Sequence, residues 1–575
     1  MIKYFTATHR KNQRFTQYTD RTIDRTELVN VKYSIIISWT EKIMENEALR
    51  GEKRRGIFEY VDKQRLIYCF IFTFAMGLIA HAYAFLNFQP SHDSLYEVIS
   101  DPAYWKWKLQ LGRFLKPLYD LALGRFASLP WINGLISLLW LSLAGYLVTE
   151  MLRINKRPGI ALTCGVLSVN LTVTALAATY MPDLSSDMLA LLFALLGCRI
   201  WYGMTDGKTQ LAPAKKLALT LCAGLCVGVS LGIYQALVCV FVTMVLAVSV
   251  MRLLDEKTSC IRVWLSDFWA AGIALLGGGV YCGGLRLALA ATGTELAQSY
   301  NGLTNLFGDS APISERLSET LRWVKVYLTE FSGHAHSVYF TSAVGILTVA
   351  LAIVCFVWLA GLLIKRKASA GNVITALLLF AAIPFAMNLM RLLSSCIHLL
   401  MFYAFWLAYI IAYALAGELS VRKNTAVFER AAALLLCCVI FINVQTANAV
   451  YVKKTTEQQA TLSVMTRVVD RVETQPGYER GVTPVAFIGI PQAYFSDFAP
   501  YDKIGRLTGT DTSGSITYYS IYGVYIPMML RTDMNIAERS VAAELAVSEE
   551  VAAMPAFPAV GSVNTVDGVV VVKFA

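Results

Sequence analysis

The sequence is poor in charged residues. Asp, Glu, Lys and Arg together make up 16% of its 575 residues, whereas hydrophobic residues make up 56%, and the mean hydropathy is +0.52. A soluble chain of this length needs a larger polar fraction to cover the surfaces of its domains. The composition therefore excludes an ordinary soluble protein and indicates a chain that is solvated largely by lipid.

Cysteine is absent from both polar ends of the chain, residues 1–64 and 449–575. The twelve cysteines lie within or beside apolar runs, and their spacing matches neither a disulfide framework nor a zinc site. The first sixty residues also lack the apolar run that a cleavable signal peptide requires. We expect no disulfide framework, no cofactor and no cleavable signal, and no clustered ligands indicate a divalent metal.

The net charge of +10 does not indicate a nucleic-acid-binding protein. The basic residues form short clusters between apolar runs instead of one basic domain, which is the pattern that membrane topology produces. The lipid bilayer is therefore the expected partner, and no nucleic acid is expected.

Eleven apolar runs are long enough to cross a bilayer. A hydrocarbon core of about 30 Å requires about 20 helical residues, and the backbone of a lipid-exposed span must form its hydrogen bonds within the segment, so these runs must be helices. A turn at Tyr234-Gln235 separates two of them, because one helix of about 39 residues would exceed the bilayer. The runs lie near residues 66–86, 130–152, 159–180, 187–203, 215–233, 235–253, 265–291, 338–364, 373–390, 396–416 and 428–448.

Every second short loop is basic, which predicts the orientation of the spans. Basic loops face the cytoplasm, whereas the intervening loops hold a single basic residue between them. The cytoplasmic loops are therefore expected to be those with Arg153-Lys156-Arg157, Lys208-Lys215-Lys216, Arg252-Lys257-Arg262, Lys365-Arg366-Lys367 and Arg422-Lys423-Arg430.

This count predicts three domains. Residues 1–64 form a cytoplasmic N-terminal arm, residues 65–448 form the transmembrane domain, and residues 449–575 form an extracytoplasmic domain. The last is expected to be a small α/β domain, since 460–473 has helical character and two later runs are apolar and β-branched. The fold class is thus an all-α polytopic membrane protein with a small α/β domain, and the outer loops 87–129 and 292–337 indicate that function lies on the outer face.

The first outer loop contains two features of interest. Apolar residues recur at helical spacing between Trp105 and Tyr119, which predicts one helix lying flat in the interface with Lys108, Arg113 and Lys116 near the headgroups. Earlier in the loop, Asp93 lies a few residues past the first span, where a carboxylate can act as a general base or cap a turn.

Further ionisable and polar residues lie at outer span ends. Asp183 can cap the next helix, but Asp187 lies a turn deeper, where an ionisable group is costly and indicates a site. Tyr234, Gln235 and Arg391 lie at other outer ends. Of these residues, Asp187 and Arg391 are the stronger site candidates by this reasoning.

The order of these features resembles a known family, the phage-encoded, serotype-converting O-antigen glucosyltransferases and their bacterial relatives. The matching features are the Asp93 loop with the following Leu111-Gly112-Arg113-Phe114, the Met181–Asp187 turn, the Ser230–Gln235 segment and the soluble C-terminal region. The likeness covers roughly residues 65–575. The N-terminal arm has no counterpart, and Ser94 occupies a position where a second acidic residue is expected.

The resemblance implies a GT-C-type glycosyltransferase of the bacterial cytoplasmic membrane. It would transfer a sugar, expected to be glucose, from a polyprenyl-phosphate donor to a cell-surface glycan on the outer face, with inversion and with Asp93 as base. Arg113, Lys116 and Arg391 would stabilise the leaving phosphate. Asp183, Asp187, Tyr234 and Gln235 are also expected to bind substrate, and a donor synthase and a flippase are the further partners implied.

Two other functions are compatible with a polytopic chain. A transporter or flippase of lipid-linked glycans should have internal repeats and broken helices at mid-membrane, but no repeat is evident and the ionisable residues gather at the outer face. A non-enzymatic scaffold for the C-terminal domain would leave Asp187 and Arg391 unexplained.

Overall fold

The computed structural model describes residues 61–91, 94–95, 102–124, 129–206, 211–255, 258–297, 312–330, 341–365, 368–393, 399–489 and 526–574. Within these residues the chain is mostly helical, and eleven helical segments are long and apolar enough to cross a membrane. They correspond one for one with the eleven apolar runs of the sequence. The predicted fold class is confirmed.

The elements follow one another in this order along the described chain. The helices before the long outer loop are α1 (Lys63–Leu86), α2 (Pro102–Gln110), α3 (Leu115–Ala122), α4 (Pro130–Met151), α5 (Arg157–Val169), α6 (Leu171–Thr179), α7 (Leu184–Thr205), α8 (Pro213–Ile233), α9 (Val238–Leu253) and α10 (Cys260–Thr292). The later helices of the helical part are α11 (Ile313–Glu330), α12 (Thr341–Lys365), α13 (Ala370–Met387), α14 (Leu389–Leu393), α15 (Tyr403–Lys423) and α16 (Val427–Glu473).

Alternate helix ends gather at two opposite ends of the bundle. At one end, which we call the basic end, Arg153 pairs with Asp255 at 2.6 Å and Lys156 pairs with Glu429 at 2.6 Å. At the other, which we call the site end, the turns after α6 and α8 meet helices α2 and α3. Short 3-10 turns, Met181–Asp183 and Gln235–Leu237, stand at the two tight connections there. The second confirms the turn predicted at Tyr234-Gln235.

The third span is broken at Asn170, between α5 and α6. The Asn170 side chain accepts a hydrogen bond from the backbone of Val173 at 3.1 Å, so it caps α6. The hydroxyl of Tyr403 donates to the carbonyl of Leu167 at 2.6 Å, and His81 lies 2.9 Å from the carbonyl of Ser168. Protein groups therefore meet the backbone polar atoms at this break, as a membrane interior requires.

The helix α16 joins the transmembrane part to the C-terminal part without interruption. It is 47 residues long, and the predicted domain boundary at 448–449 falls inside it. Its last turns, from Val464 to Val472, belong to the hydrophobic core of the C-terminal part. The predicted span at 428–448 and the predicted helix at 460–473 are thus one helix.

A four-stranded sheet completes the C-terminal part. The strands β1 (Pro484–Ile488), β2 (Asn535–Ile536), β3 (Val563–Val566) and β4 (Val569–Lys573) have the order β2-β1-β4-β3, with β1 parallel to both of its neighbours and β3 antiparallel to β4. The short helices α17 (Ile526–Leu530), α18 (Arg539–Ala546) and α19 (Glu549–Ala553) accompany it. The apolar runs predicted as strands contain β1 and β4, which supply several of the buried valines of this core.

The first outer loop does not contain the single flat helix that its apolar spacing predicts. Helix α2 ends at Gln110, Gly112 has a left-handed backbone with φ 77°, and the backbone N–H of Arg113 returns to the carbonyl of Lys108 at 2.9 Å. Glycine permits this conformation at no steric cost, and the arrangement is typical of a helix C-terminus. The prediction was wrong because hydrophobic spacing does not reveal a glycine that reverses the chain.

Candidate functional site

A buried carboxylate lies at the centre of the site end. Asp183 is 2% exposed and ends the 3-10 turn that connects α6 to α7. Lys108 donates a hydrogen bond to its Oδ2, the ammonium of Lys116 lies 3.2 Å from its Oδ1, and Arg113 Nη1 lies 3.9 Å from its Oδ2. Three cations from the first outer loop therefore converge on one carboxylate.

The break at Gly112 is what brings these cations together. Lys108 lies on α2 and Lys116 on α3, and the turn between the two helices lets both side chains reach Asp183. Both lysines are buried, at 5% and 1% exposure. The prediction that they lie near the lipid headgroups is therefore wrong, because the ion pairs with Asp183 direct them into the protein.

Two further carboxylates balance the charge of this cluster. Asp120 accepts hydrogen bonds from Lys116 at 2.6 Å. Asp187 lies one helical turn below Asp183 on α7 and is 3% exposed. Lys108, Arg113 and Lys116 thus lie opposite Asp120, Asp183 and Asp187, three basic side chains and three acidic ones. We call these six residues the charge cluster.

Hydroxyl and amide groups hold the turn that carries Asp183. Tyr119 donates to the Ser185 hydroxyl at 3.0 Å, and burial raises the pKa of Tyr119, so it remains a neutral donor. The side chain of Asn133 donates to the carbonyl of Met181 and accepts from the backbone of Ser185 at 3.2 Å. Asp183 itself makes no side-chain capping bond to α7, so its predicted capping role is wrong.

Arg113 is the cation of the charge cluster with the most unused hydrogen-bonding capacity. Its guanidinium lies over the ring of Tyr234, 4.5 Å from the centroid, and its Nε has no acceptor among the described residues. Burial alone would lower its pKa, but Tyr234, Asp183 and Asp187 raise it, so the net shift is upward. Arg113 is therefore a permanent cation with room for another anionic partner.

Gln235 supports the loop from the opposite side. Its amide nitrogen donates to the carbonyl of Leu111 at 3.0 Å and lies 3.1 Å from the hydroxyl of Tyr281. The ring of Phe114 packs against Tyr281, and a Cβ atom at Gly284 would lie only 2.6 Å from that ring. The predicted residues Tyr234 and Gln235 thus lie beside Arg113, as part of its support.

Arg391 occupies a separate aromatic environment. Its guanidinium lies 3.6 Å from the ring centroid of Trp323 and 5.9 Å from that of Phe402. Its Nε is buried and has no acceptor within the described parts of the chain. Burial is the main cause that lowers its pKa to about 10; Glu319 opposes this shift, and Arg322 adds a smaller lowering. The group remains charged at neutral pH.

Asp93, the predicted base, lies outside the described residues, as do most of the N-terminal arm and parts of the outer loops. Its sequence neighbours are described. Ser91 donates to the carbonyl of Thr179 at the end of α6, and its backbone N–H donates to the Ser94 hydroxyl at 2.7 Å. The chain on either side of Asp93 therefore lies next to the turn that carries Asp183.

The described residues contain no group of three or more His, Cys, Asp or Glu side chains placed to hold a metal ion. The expectation that the protein has no cofactor, with a divalent metal possible but not indicated, stays a prediction. Sequence reasoning did not name Lys108, Tyr119 or Asp120 as site residues. The i, i+4 spacing of Lys116 and Asp120 was the available signal, since such a pair lies on one helix face.

A family model described as glucosyl transferase GtrII matches residues 82–415, more than half of the chain. The chain belongs to the GtrII glucosyl transferase family. No curated protein and no solved structure matches it. The GtrII match begins in α1 and ends in α15, so it includes the charge cluster and Arg391. The resemblance to serotype-converting glucosyltransferases is confirmed. Membership of the GtrII family indicates that this chain, with its many membrane-type helices, is a glucosyltransferase.

Proposed function

We propose that the chain transfers glucose from a polyprenyl-phosphate donor to a cell-surface glycan, on the outer face of the bacterial cytoplasmic membrane. The observation that carries the proposal is Arg113, a partly exposed permanent cation whose Nε has no acceptor among the described residues. An arriving phosphate can bind it without displacing the shorter ion pairs of Lys108 and Lys116. The charge cluster stands at the ends of membrane-type helices. A phosphate that binds there would therefore belong to a lipid-linked sugar.

The orientation rests on the basic loops. The ion pairs of Arg153 and Lys156 lie at the basic end, opposite the charge cluster. Basic ends face the cytoplasm, so the site end and the C-terminal part would face outward and the N-terminal arm inward. A nucleotide sugar would then be on the wrong side, which favours a lipid-linked donor.

The reaction would be a direct displacement. The acceptor hydroxyl oxygen attacks the anomeric carbon as its proton passes to the Asp93 carboxylate, and the bond from that carbon to the phosphate oxygen breaks. The leaving polyprenyl phosphate gains negative charge, which Arg113, Lys116 and Arg391 stabilise. Attack opposite the leaving group inverts the anomeric centre. Asp183, Asp187, Tyr234 and Gln235 hold Arg113 and Lys116 in place for this step.

The proposal is tested with purified protein, a synthetic short-chain polyprenyl-phosphate glucose and the acceptor glycan. Transfer by the wild type is expected, and Asp93→Asn should lower turnover by about 10²–10⁴-fold because the amide cannot accept a proton. Donor binding should persist in this variant. If Asp93→Asn retains normal turnover and Asp187→Asn is inactive, then Asp187 and not Asp93 is the base.

A transporter or flippase of lipid-linked glycans is the second candidate. The break at Asn170 is the feature that favours it, since transporters bind substrates at broken helices. The carbonyls at this break already bond to Tyr403 and His81, which favours a structural break. Movement of the labelled donor across proteoliposomes without transfer would support the transporter.

A further inference from the structure

A small cleft, partly open to solvent, lies on the other side of the turn that carries Asp183. Met181 and Pro182 line the cleft, whereas the next residue, Asp183, belongs to the charge cluster. None of the described residues that line the cleft is charged. One three-residue turn therefore separates a charged site from a neutral cleft.

The neutral cleft has polar and aromatic groups of the kind that bind sugars. Asn87, Phe88 and Gln89 line it, together with Ser94. The side chain of Phe88 is 43% exposed although it follows a membrane-type helix. A phosphate would find no cation among these described lining residues, whereas a sugar offers hydroxyls for amide groups and an apolar ring face for an aromatic side chain.

The orientation of the Gln89 amide is fixed by α16. Its nitrogen donates to the Tyr451 carbonyl at 3.2 Å and to the Thr455 hydroxyl. A backbone carbonyl can only accept, so the NH₂ group must face α16, and Oε1 is left as an acceptor. This Oε1 is buried and has no donor among the residues that the structure describes. A buried acceptor without a donor is unfavourable, and a ligand hydroxyl would satisfy it.

We propose that this cleft binds a neutral pyranose unit of the acceptor glycan, with a sugar hydroxyl donating to Gln89 Oε1 and the ring of Phe88 against the sugar. The assignment to the acceptor rests on the proposed transfer. Solvent does not reach Oε1 in this conformation, so entry of the sugar requires a lining side chain to rotate, and the exposed Phe88 has room to do so. Ser94, which follows the proposed base Asp93 in sequence, also lines the cleft.

Two acceptor-site variants and one matched control test this assignment. Gln89→Leu removes the acceptor atom and Phe88→Ala removes the ring. Thr455→Val removes one of the two α16 groups that accept from Gln89 and leaves the Tyr451 carbonyl, so it reports any effect that comes from the link to α16. Binding of delipidated surface polysaccharide from the source cells, and separately of a short-chain prenyl phosphate, is measured on the full-length protein in detergent.

Glycan binding should weaken about three- to tenfold in Gln89→Leu, as expected for the loss of one hydrogen bond, and should also weaken in Phe88→Ala. Prenyl phosphate binding should not change, and Thr455→Val should resemble the wild type in both assays. Unchanged glycan binding in Gln89→Leu would overturn the proposal, as would an equal loss in Thr455→Val or a selective loss of prenyl phosphate binding. If the wild type binds glycan through Gln89 but transfers no sugar, the cleft assignment stands and the proposed function fails.

Discussion

Lys108 donates a hydrogen bond to Asp183 across 75 positions of sequence, and both side chains are almost completely buried. Two buried charges are costly to remove from water unless they are paired. The pair therefore fixes the first outer loop to the turn between α6 and α7. Much of the geometry of the charge cluster depends on this contact.

Asp183→Asn should destabilise the protein strongly. The change leaves Lys108 and Lys116 buried without their shared carboxylate, and breaking a buried ion pair in this way costs about 3–5 kcal/mol. Asp255→Asn at the basic end is the control, because the side chain of Asp255 is 41% exposed and such pairs contribute only about 0–1 kcal/mol. Thermal unfolding in detergent compares them, and equal effects would show that Asp183 contributes no more than a surface carboxylate.

Arg113→Ala should cost more free energy of donor binding than free energy of unfolding. A charge-assisted hydrogen bond contributes about 1.5–3 kcal/mol, which corresponds to an increase of roughly 10–150-fold in the donor KM. Lys106→Ala on the same loop is the control, since Lys106 is exposed on α2. A donor KM that is the same in both variants would remove Arg113 from the donor site.

Arg391→Ala should also raise the donor KM, whereas Arg322→Ala should not. Arg391 is a cation at neutral pH that lies over Trp323, and its Nε has no acceptor in the described parts of the chain, but Arg322 already pairs with Glu319 at 3.0 Å and is exposed. Binding of a short-chain prenyl phosphate checks the difference. Undiminished binding in Arg391→Ala would leave that residue as an aromatic packing partner of Trp323.

Gly284→Ala should disturb the site, but the neighbouring Gly283→Ala should not. A Cβ atom at Gly284 would lie 2.6 Å from the ring of Phe114, next in sequence to Arg113, whereas nothing lies within 4 Å of a Cβ atom at Gly283. We expect donor binding to be several-fold weaker in Gly284→Ala than in the control Gly283→Ala, with both variants measured in the same assay. Equal binding in the two variants would mean that Phe114 can move without displacing Arg113.

Cysteine labelling tests the orientation. In a variant without native cysteines, Val560→Cys should react with an impermeant maleimide in intact cells, because Val560 is 94% exposed and the proposed orientation puts the C-terminal part outside. Lys365→Cys, at the end of α12, should react only after permeabilisation. The reverse pattern would invert the topology and remove the argument for a lipid-linked donor.

The spans could be predicted from the sequence because each is set by a local quantity, the length of an apolar run. The turn at Tyr234-Gln235 followed from the same limit. The length of α16 could not be predicted from this limit. Its polar continuation beyond 448 gives no hydrophobic signal, and its stability comes from packing in the C-terminal core. Hydropathy does not show that a helix continues from the membrane into water.

The charge cluster was predicted only in part, for a related reason. Asp183 and Asp187 were singled out by their positions at a span end, and Arg113 and Lys116 by their place in the first outer loop, but their pairing depends on the turn at Gly112. Lys108 was placed at the lipid surface because its position on a helix indicated exposure. A residue's partner 75 positions away decides its burial, and a single sequence carries no signal for that contact.

The length of α16 also sets where the C-terminal part stands. Gln458 donates to the Pro90 carbonyl at 2.8 Å, and Val464, six positions later in the same helix, already belongs to the C-terminal core. Each residue inserted between them would raise that core by about 1.5 Å and turn it by roughly 100° relative to the bundle. This stretch should therefore tolerate substitutions but not insertions or deletions, which is the opposite of an ordinary interdomain linker.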